Sequence, residues 1–221
     1  MADQHYAALA DQLADLRTAI VCDCLAELGH EPAVMNDAIR PIHHSFRVAG
    51  FAATAHVVAV SAKPEDPTDN YRNELALVDG LGPGDVVVTS HARGAGFWGE
   101  LLATAAKARG ALGFVGDCPA RDCEQLVAMN ASTFTAGLNP LDSIGRLDID
   151  QLAVDIECGG VTVSHGDLVV ADVDGIVVVP RAIVDDLLPL VVQKAGREDV
   201  MRQDLAVGRP IGDAYVQHGV L

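Results

Sequence analysis

The sequence predicts an α/β protein built on a parallel βαβ core, with a helix in front of the core and a helical extension behind it. Two patterns carry this expectation. Between residues 83 and 138 short apolar runs alternate with amphipathic runs, as parallel strands buried beneath crossover helices do. After Pro140 the chain turns β-rich and is punctuated by Gly159-Gly160, His165-Gly166 and Asp174-Gly175, which suits hairpins or a meander.

Taken in order, residues 5–28 place Leu9, Leu13, Leu16, Ile20, Leu25 and Leu28 near helical spacing and stop at Gly29, so one amphipathic helix is expected there. A loop containing Pro32, Asn36 and Pro41 follows. "RVAGFAATAHVVAV" (47–60) reads as a strand bent or bulged near Gly50. Asp69 or Asn70 is expected to cap a short helix through Leu77. "GPGDVVVTS" then gives a turn and a buried strand, followed by helix "WGELLATAAKAR", strand "ALGFVGD", helix "ARDCEQLVAM" and strand "STFTAG". The last helix should run from about Arg181 to Ala206, with a break at Pro189. The whole chain, 1–221, is read as one domain: an N-terminal helix (1–30), an α/β core (47–180) and a C-terminal helix and tail (181–221).

Composition narrows the function. Half of the residues are hydrophobic, enough for a substantial core, and no apolar run approaches the length of a membrane span. The N-terminus has neither a basic nor an apolar segment of the signal-peptide kind, so a cytoplasmic location is the default. Fifteen basic residues against 31 acidic ones give a net charge of −16, which disfavours nucleic acid as a partner. Five cysteines, an odd number without zinc spacing, read as reduced thiols.

Gly94, Gly96 and Gly99 spell G-x-G-x-x-G before a helix, with Asp117 further on, the outline of a dinucleotide site. Ser90 to Arg93 intervene where the tight turn should begin, and Glu100 would repel a pyrophosphate in the first helical turn. A smaller anion fits better. The amides of Gly99, Glu100, Leu101 and Leu102 open a helix and can hold a carboxylate. Arg121 and Asp122 open the next helix, and neighbouring strand ends of a parallel sheet form the usual ligand crevice. Glu100, Asp117, Arg121 and Asp122 are therefore expected to converge. Carboxylate oxygens suit Mg²⁺ or Mn²⁺, and a guanidinium fork suits a carboxylate or enolate oxygen.

The stretch "FWGELLATAAKARGALGFVGDCPARD", with "GGVTVSHGDLVVADVDGIVVVPR" downstream, resembles the family of 4-hydroxy-4-methyl-2-oxoglutarate aldolases and the regulator of ribonuclease activity A. The resemblance runs from about Arg47 to the last helix and touches "CDCLAELG". It implies a swivelling β/β/α-type fold, assembly into trimers or hexamers with interfacial sites, and a divalent-metal aldolase acting on 4-hydroxy-2-oxo diacids, often with oxaloacetate decarboxylase activity. It implies Asp122 as the direct metal ligand and Arg121 as the residue binding the substrate's oxo and carboxylate oxygens. Gly99, Glu100, Leu101 and Leu102 match the loop that holds the pyruvyl carboxylate, with Glu100 contacting metal-bound water. An acid from a neighbouring subunit's last helix completes the family's site; Glu198 matches best and Asp199 is the alternative. A non-enzymatic, protein-binding regulator is the other function that the family contains.

The inventory agrees with metal chemistry. Lys63, Lys107 and Lys194 are the chain's only lysines, and none lies near the expected site to form a Schiff base. A metal-bound water relayed by Glu100 or Glu198 is the expected general base. The chain differs from the family pattern at Cys118-Pro119, where a small pair is usual, and at His91-Ala92-Arg93. Those differences leave the substrate open, along with the roles of Cys118, Cys123 and His91.

Overall fold

The computed structural model describes Leu13 and residues 15–221. Helix α1 (Thr18–Glu27) is followed by the short strands β1 (Ala33–Val34) and β2 (Arg40–Pro41) and the long β3 (Val48–Ala59). Next come α2 (Arg72–Asp79), β4 (Asp85–Thr89), α3 (Glu100–Ala108), β5 (Gly113–Gly116), α4 (Cys123–Ala128) and β6 (Ser132–Thr135). The β-rich part holds β7 (Leu147–Leu152), β8 (Ile156–Cys158), β9 (Val161–Val163), β10 (Leu168–Ala171) and β11 (Ile176–Val179), and helices α5 (Val184–Ala206) and α6 (Ile211–His218) close the chain.

Nine strands form the main sheet in the order β1-β11-β10-β3-β4-β5-β6-β2, with β7 also paired to β3. Strands β3 to β6 run parallel, as the alternating pattern predicts, and β10 and β7 add antiparallel partners to β3. The parallel strands are buried on both faces, and Val86, Val87 and Val88 of β4 form the continuous apolar run that such a strand carries. Val87 and Phe114 face a cluster with Leu77, Ala103 and Leu126 of α2, α3 and α4. Their neighbours Val86, Val88 and Val115 face Ile156, Cys158 and Val163 of the β8–β9 hairpin. Helices therefore cover one face and a hairpin the other, a β/β/α layering. Helices α1 and α5 pack on β10 and β11 through Val21, Leu25, Leu187 and Leu188.

Four expectations are corrected. The N-terminal helix is not continuous to residue 28: Arg17 is extended, and α1 starts afresh at Thr18. Asp172 causes the restart, because its carboxylate accepts from the Thr18 amide at 3.0 Å and from the Thr18 hydroxyl at 2.7 Å. The remainder of that expected helix, residues 5–12 and 14, lies outside the described residues. Gly50 is not a bulge. A Cβ there would lie 2.5 Å from the Gly84 carbonyl oxygen, so glycine permits close approach, and the register shift of β3 falls between His56 and Val57. Helix α2 starts at Arg72 behind a left-handed Tyr71 (φ 62°), without a side-chain cap from Asp69 or Asn70. Helix α5 passes through Pro189 unbroken, held by buried Leu187, Leu188 and Val191 on either side of the missing hydrogen bond. Within the tail, α6 folds back on α5, where Asp204 accepts from Arg209 and His218.

Candidate functional site

The segments leaving β4, β5 and β6 are stitched together beyond the strands themselves. Parallel bridges join Trp98 to Ala120 and Ala120 to Leu138. The Arg121 amide donates to the Trp98 carbonyl at 2.8 Å, and the Phe97 amide to the Pro119 carbonyl at 2.8 Å. Trp98 lies flat on Phe114, with ring centroids 4.7 Å apart and planes 8° from parallel. That stack and the burial of both rings pin the glycine loop to the core, a contribution of about 1 kcal/mol beyond area burial alone. The loop therefore presents Gly99 and the start of α3 as a rigid edge.

Arg121 and Asp122 lie against that edge. Asp122 is the N-cap of α4 in a left-handed conformation (φ 56°, ψ 37°), which aspartate tolerates better than most residues. Its Oδ2 accepts from the Glu100 amide at 3.3 Å and lies 3.4 Å from Arg121 Nε. Both contacts fall on one oxygen, so Oδ1 keeps its acceptor capacity. Arg121 Nη1 donates to Asp142 Oδ2 at 3.3 Å. Asp142 also accepts from the Tyr71 hydroxyl, and its Oδ1 takes the Ile144 amide at 2.7 Å in an Asx turn. Burial raises the Asp142 pKa, but the bonds from Tyr71, Ile144 and Arg121 outweigh it and hold the carboxyl below the usual range. Burial and the Asp142 carboxylate push Tyr71 up to about 12, so it stays a neutral donor.

Tyr71, Arg121 and Asp122 line a cavity of about 180 Å³ whose other walls include Leu75, Phe97, Gly99, Leu101 and Leu102. Ser143 forms part of the floor and donates to Oε1 of the buried Glu74 at 3.0 Å. Burial raises the Glu74 pKa.

The site residues expected from sequence separate into three places. Gly99, Leu101, Leu102, Arg121 and Asp122 come together, with the Glu100 amide beside them. The Glu100 side chain turns along its helix and accepts from Thr104 Oγ1 at 2.9 Å. Asp117 does not join the group, contrary to expectation. Its carboxylate is taken by Arg93 at 3.2 Å, His91 at 3.2 Å and the Gly159 amide at 3.4 Å, against the β8–β9 hairpin. Glu198 and Asp199 line a different groove, between residues 15–20 and α5, with Arg202 beside both. Cys118 is buried with its sulfur 3.1 Å from Thr89 Oγ1, and burial pushes its pKa to about 12. Cys123 is half-buried, and burial raises its pKa too.

Sequence reasoning missed Tyr71, Asp142, Ser143 and Glu74. "LDSIG" marks a turn at Asp142, yet nothing local ties that turn to Arg121. Among the described residues, no three His, Cys, Asp or Glu side chains form a metal cage. Asp122 alone suits a hard cation that keeps most of its waters, as Mg²⁺ does when one or two carboxylates hold it. The missing Cβ of Gly99 leaves the space beside its Oδ2 clear. None of the helices among the described residues is long and apolar enough to cross a membrane.

Fold and cavity together define an α/β protein with a small, carboxylate-lined cleft where parallel strands end. Within that class the chain belongs to the RraA-like family, described as Aldolase/RraA, whose model matches residues 18–178. A relative from Halalkalibacterium halodurans, named "Putative 4-hydroxy-4-methyl-2-oxoglutarate aldolase", is 30% identical over 205 residues, covering 91% of this chain and 88% of that protein. Among solved structures, an uncharacterized protein of Pseudomonas syringae superposes with a TM-score of 0.80 at 25% identity, covering 94% of this chain and 96% of that one. RraAS2 of Streptomyces coelicolor, described as an unusual member of the RNase ES inhibitor RraA family, superposes with a TM-score of 0.75 at 26% identity over 88% of this chain and 96% of its own.

Proposed function

We propose that this protein is a carbon–carbon lyase that splits 4-hydroxy-2-oxo acids into pyruvate and a second oxo compound, and that releases CO₂ from oxaloacetate through the same pyruvate enolate. One observation carries the reading: Arg121 and Asp122 are held side by side at the opening turn of α3, so a cation, a carboxylate and free helix amides face one small cavity. A 2-oxo acid presents two adjacent oxygen groups, and the Arg121 fork matches that pair. The amides of Leu101 and Leu102 follow in the same helical turn and suit the carboxylate end. Phe97, Leu101 and Leu102 keep water from the carbon that becomes nucleophilic.

Asp122 would hold a divalent cation, Mg²⁺ or Mn²⁺, which when bound supplies an electron sink for the 2-oxo group. Glu198 would join through water only from a second copy of the chain, since its own protomer places it in a separate groove. That requirement, and the exposed Leu75 and Leu101 at the cavity rim, support a homo-oligomer, a trimer or hexamer.

The test is pyruvate release from oxaloacetate, 4-hydroxy-4-methyl-2-oxoglutarate and a panel of other 4-hydroxy-2-oxo acids. It is run with Mg²⁺, Mn²⁺ or EDTA, on wild type, Arg121→Ala and Asp122→Ala. Turnover that needs the metal and disappears in both variants is expected. No pyruvate from any compound in folded, metal-supplied protein would sink the lyase reading and favour the protein-binding regulator.

A further inference from the structure

The geometry points to Glu74 and Ser143 as the relay that delivers a proton to C3 of the pyruvate enolate, the step that follows carbon–carbon cleavage. The inference rests on the lyase reading of the same cavity and concerns two side chains to which that reading gives no task. Ser143 lines the cavity together with Arg121 and Asp122. It follows Asp142, which accepts from Arg121 Nη1 at 3.3 Å, so a 2-oxo acid held by Arg121 lies beside it. Behind Ser143 is Glu74, only 2% exposed, with Oε1 3.0 Å from Ser143 Oγ.

Glu74 also borders a second cavity, of about 240 Å³, with Lys63, Asp69, Asn70 and Asp148 among its polar walls. That space has room for several waters, and Lys63 and Pro64 at its edge are exposed. Tyr71 lines both cavities, so the opening turn of α2 is the wall between them. A carboxyl in that wall can take a proton from one side and give it to the other. Burial raises the Glu74 pKa and the Asp148 and Asp142 carboxylates add to the rise, against the bonds from its own amide and from Ser143. Glu74, Ser143 and Tyr71 belong to one protomer, so the relay does not depend on what a second copy brings to the rim.

The transfer balances without a further reagent. With Glu74 deprotonated, the Ser143 hydroxyl donates to it; with Glu74 protonated, the bond reverses and the hydroxyl is released to donate into the cavity. The Glu74 proton then passes to Ser143 Oγ as the Ser143 proton passes to C3. The enolate's electron pair forms the new C3–H bond, and the C2 carbonyl is restored. The Glu74 carboxylate recovers its proton from water in the second cavity. Glu74 also stands three residues after the α2 N-cap, where either glutamate or glutamine supports a helix start. A purely structural role is therefore met equally well by glutamine, whereas the relay is not, because an amide has no proton to give.

The experiment compares two rates in wild type, Glu74→Gln and Ser143→Ala, using the full chain and Mg²⁺. One is exchange of the pyruvate methyl protons in D₂O, followed by NMR; the other is CO₂ release from oxaloacetate. Wild type should do both. In each variant the ratio of exchange to CO₂ release should fall by about 100-fold, the lower end of what a positioned acid contributes. CO₂ release falls less, because the enolate can leave the site and be protonated in water. An unchanged ratio in Glu74→Gln overturns the relay, even if both rates drop together. A fall in only one of the variants breaks the pair and overturns it too. Cleavage without exchange in the wild type removes the relay and leaves the lyase reading standing, whereas neither exchange nor cleavage removes both.

Discussion

A Cβ placed on Gly99 would lie 2.7 Å from Asp122 Oδ2 and 3.1 Å from Arg121 Cγ. Gly99 has an ordinary extended backbone (φ −142°, ψ −179°), so its glycine is required by proximity and not by conformation. The site is built by letting the backbone of one loop touch the side chains of another.

Gly99→Ala should therefore push the Asp122 carboxylate aside while leaving the fold intact. Pyruvate release is expected to fall about 100-fold, the usual cost of misplacing a reacting group by an ångström. The thermal midpoint should move little by comparison. Unchanged activity in Gly99→Ala would mean that the position of Asp122 does not matter to turnover.

Arg121→Lys tests the divided fork. Lysine carries the charge but cannot reach Asp122 and Asp142 from one planar group. Activity should drop roughly 100-fold or more in kcat, as on loss of a preorganised donor. Near-normal kcat in the lysine variant would show that charge alone suffices.

Glu74 gives the chain a pH signature. Burial raises its folded pKa above 4.5, so the protonated acid is the form the fold prefers. Stability from this group is complete below the unfolded value and is lost as pH rises through the folded one. Glu74→Gln keeps the acceptor for Ser143 without the charge. Thermal melts should show the variant gaining on wild type as pH rises above 4.5, with the difference vanishing below it. A constant difference across pH 4 to 8 would refute this.

Asp172→Ala removes the acceptor shared by the Thr18 amide, the Thr18 hydroxyl and the Asp174 amide. The loss should cost about 1–2 kcal/mol, lowering the thermal midpoint by roughly 2–4 °C per kcal/mol in a chain of this size. Thr18→Val, which removes only the hydroxyl, should cost less. Equal effects would place the main contribution on that hydroxyl.

The parallel core was legible because its information is local. Short apolar runs before helix-spaced alanines and leucines give strands β4 to β6 and helix α3 within two residues, while α4 starts three residues later than expected. The Arg121-Asp122 pair at a helix start was legible for the same reason. Asp117 was not: it follows β5 directly, but its side chain turns to Arg93 and the hairpin, a choice that depends on which face the hairpin covers.

By itself, the sequence determined the strand and helix alternation, the acidic surface, the glycine-lined opening of α3 and the residues at it. The tertiary structure alone decided which carboxylates meet. Asp142 reaches Arg121 across 21 residues, and Asp172 reaches Thr18 across 154. Periodicity fixes which face of an element is apolar, but strand order fixes which loops are neighbours. Whether Arg121 keeps its whole charge or shares it with a second aspartate is settled only where those loops pack.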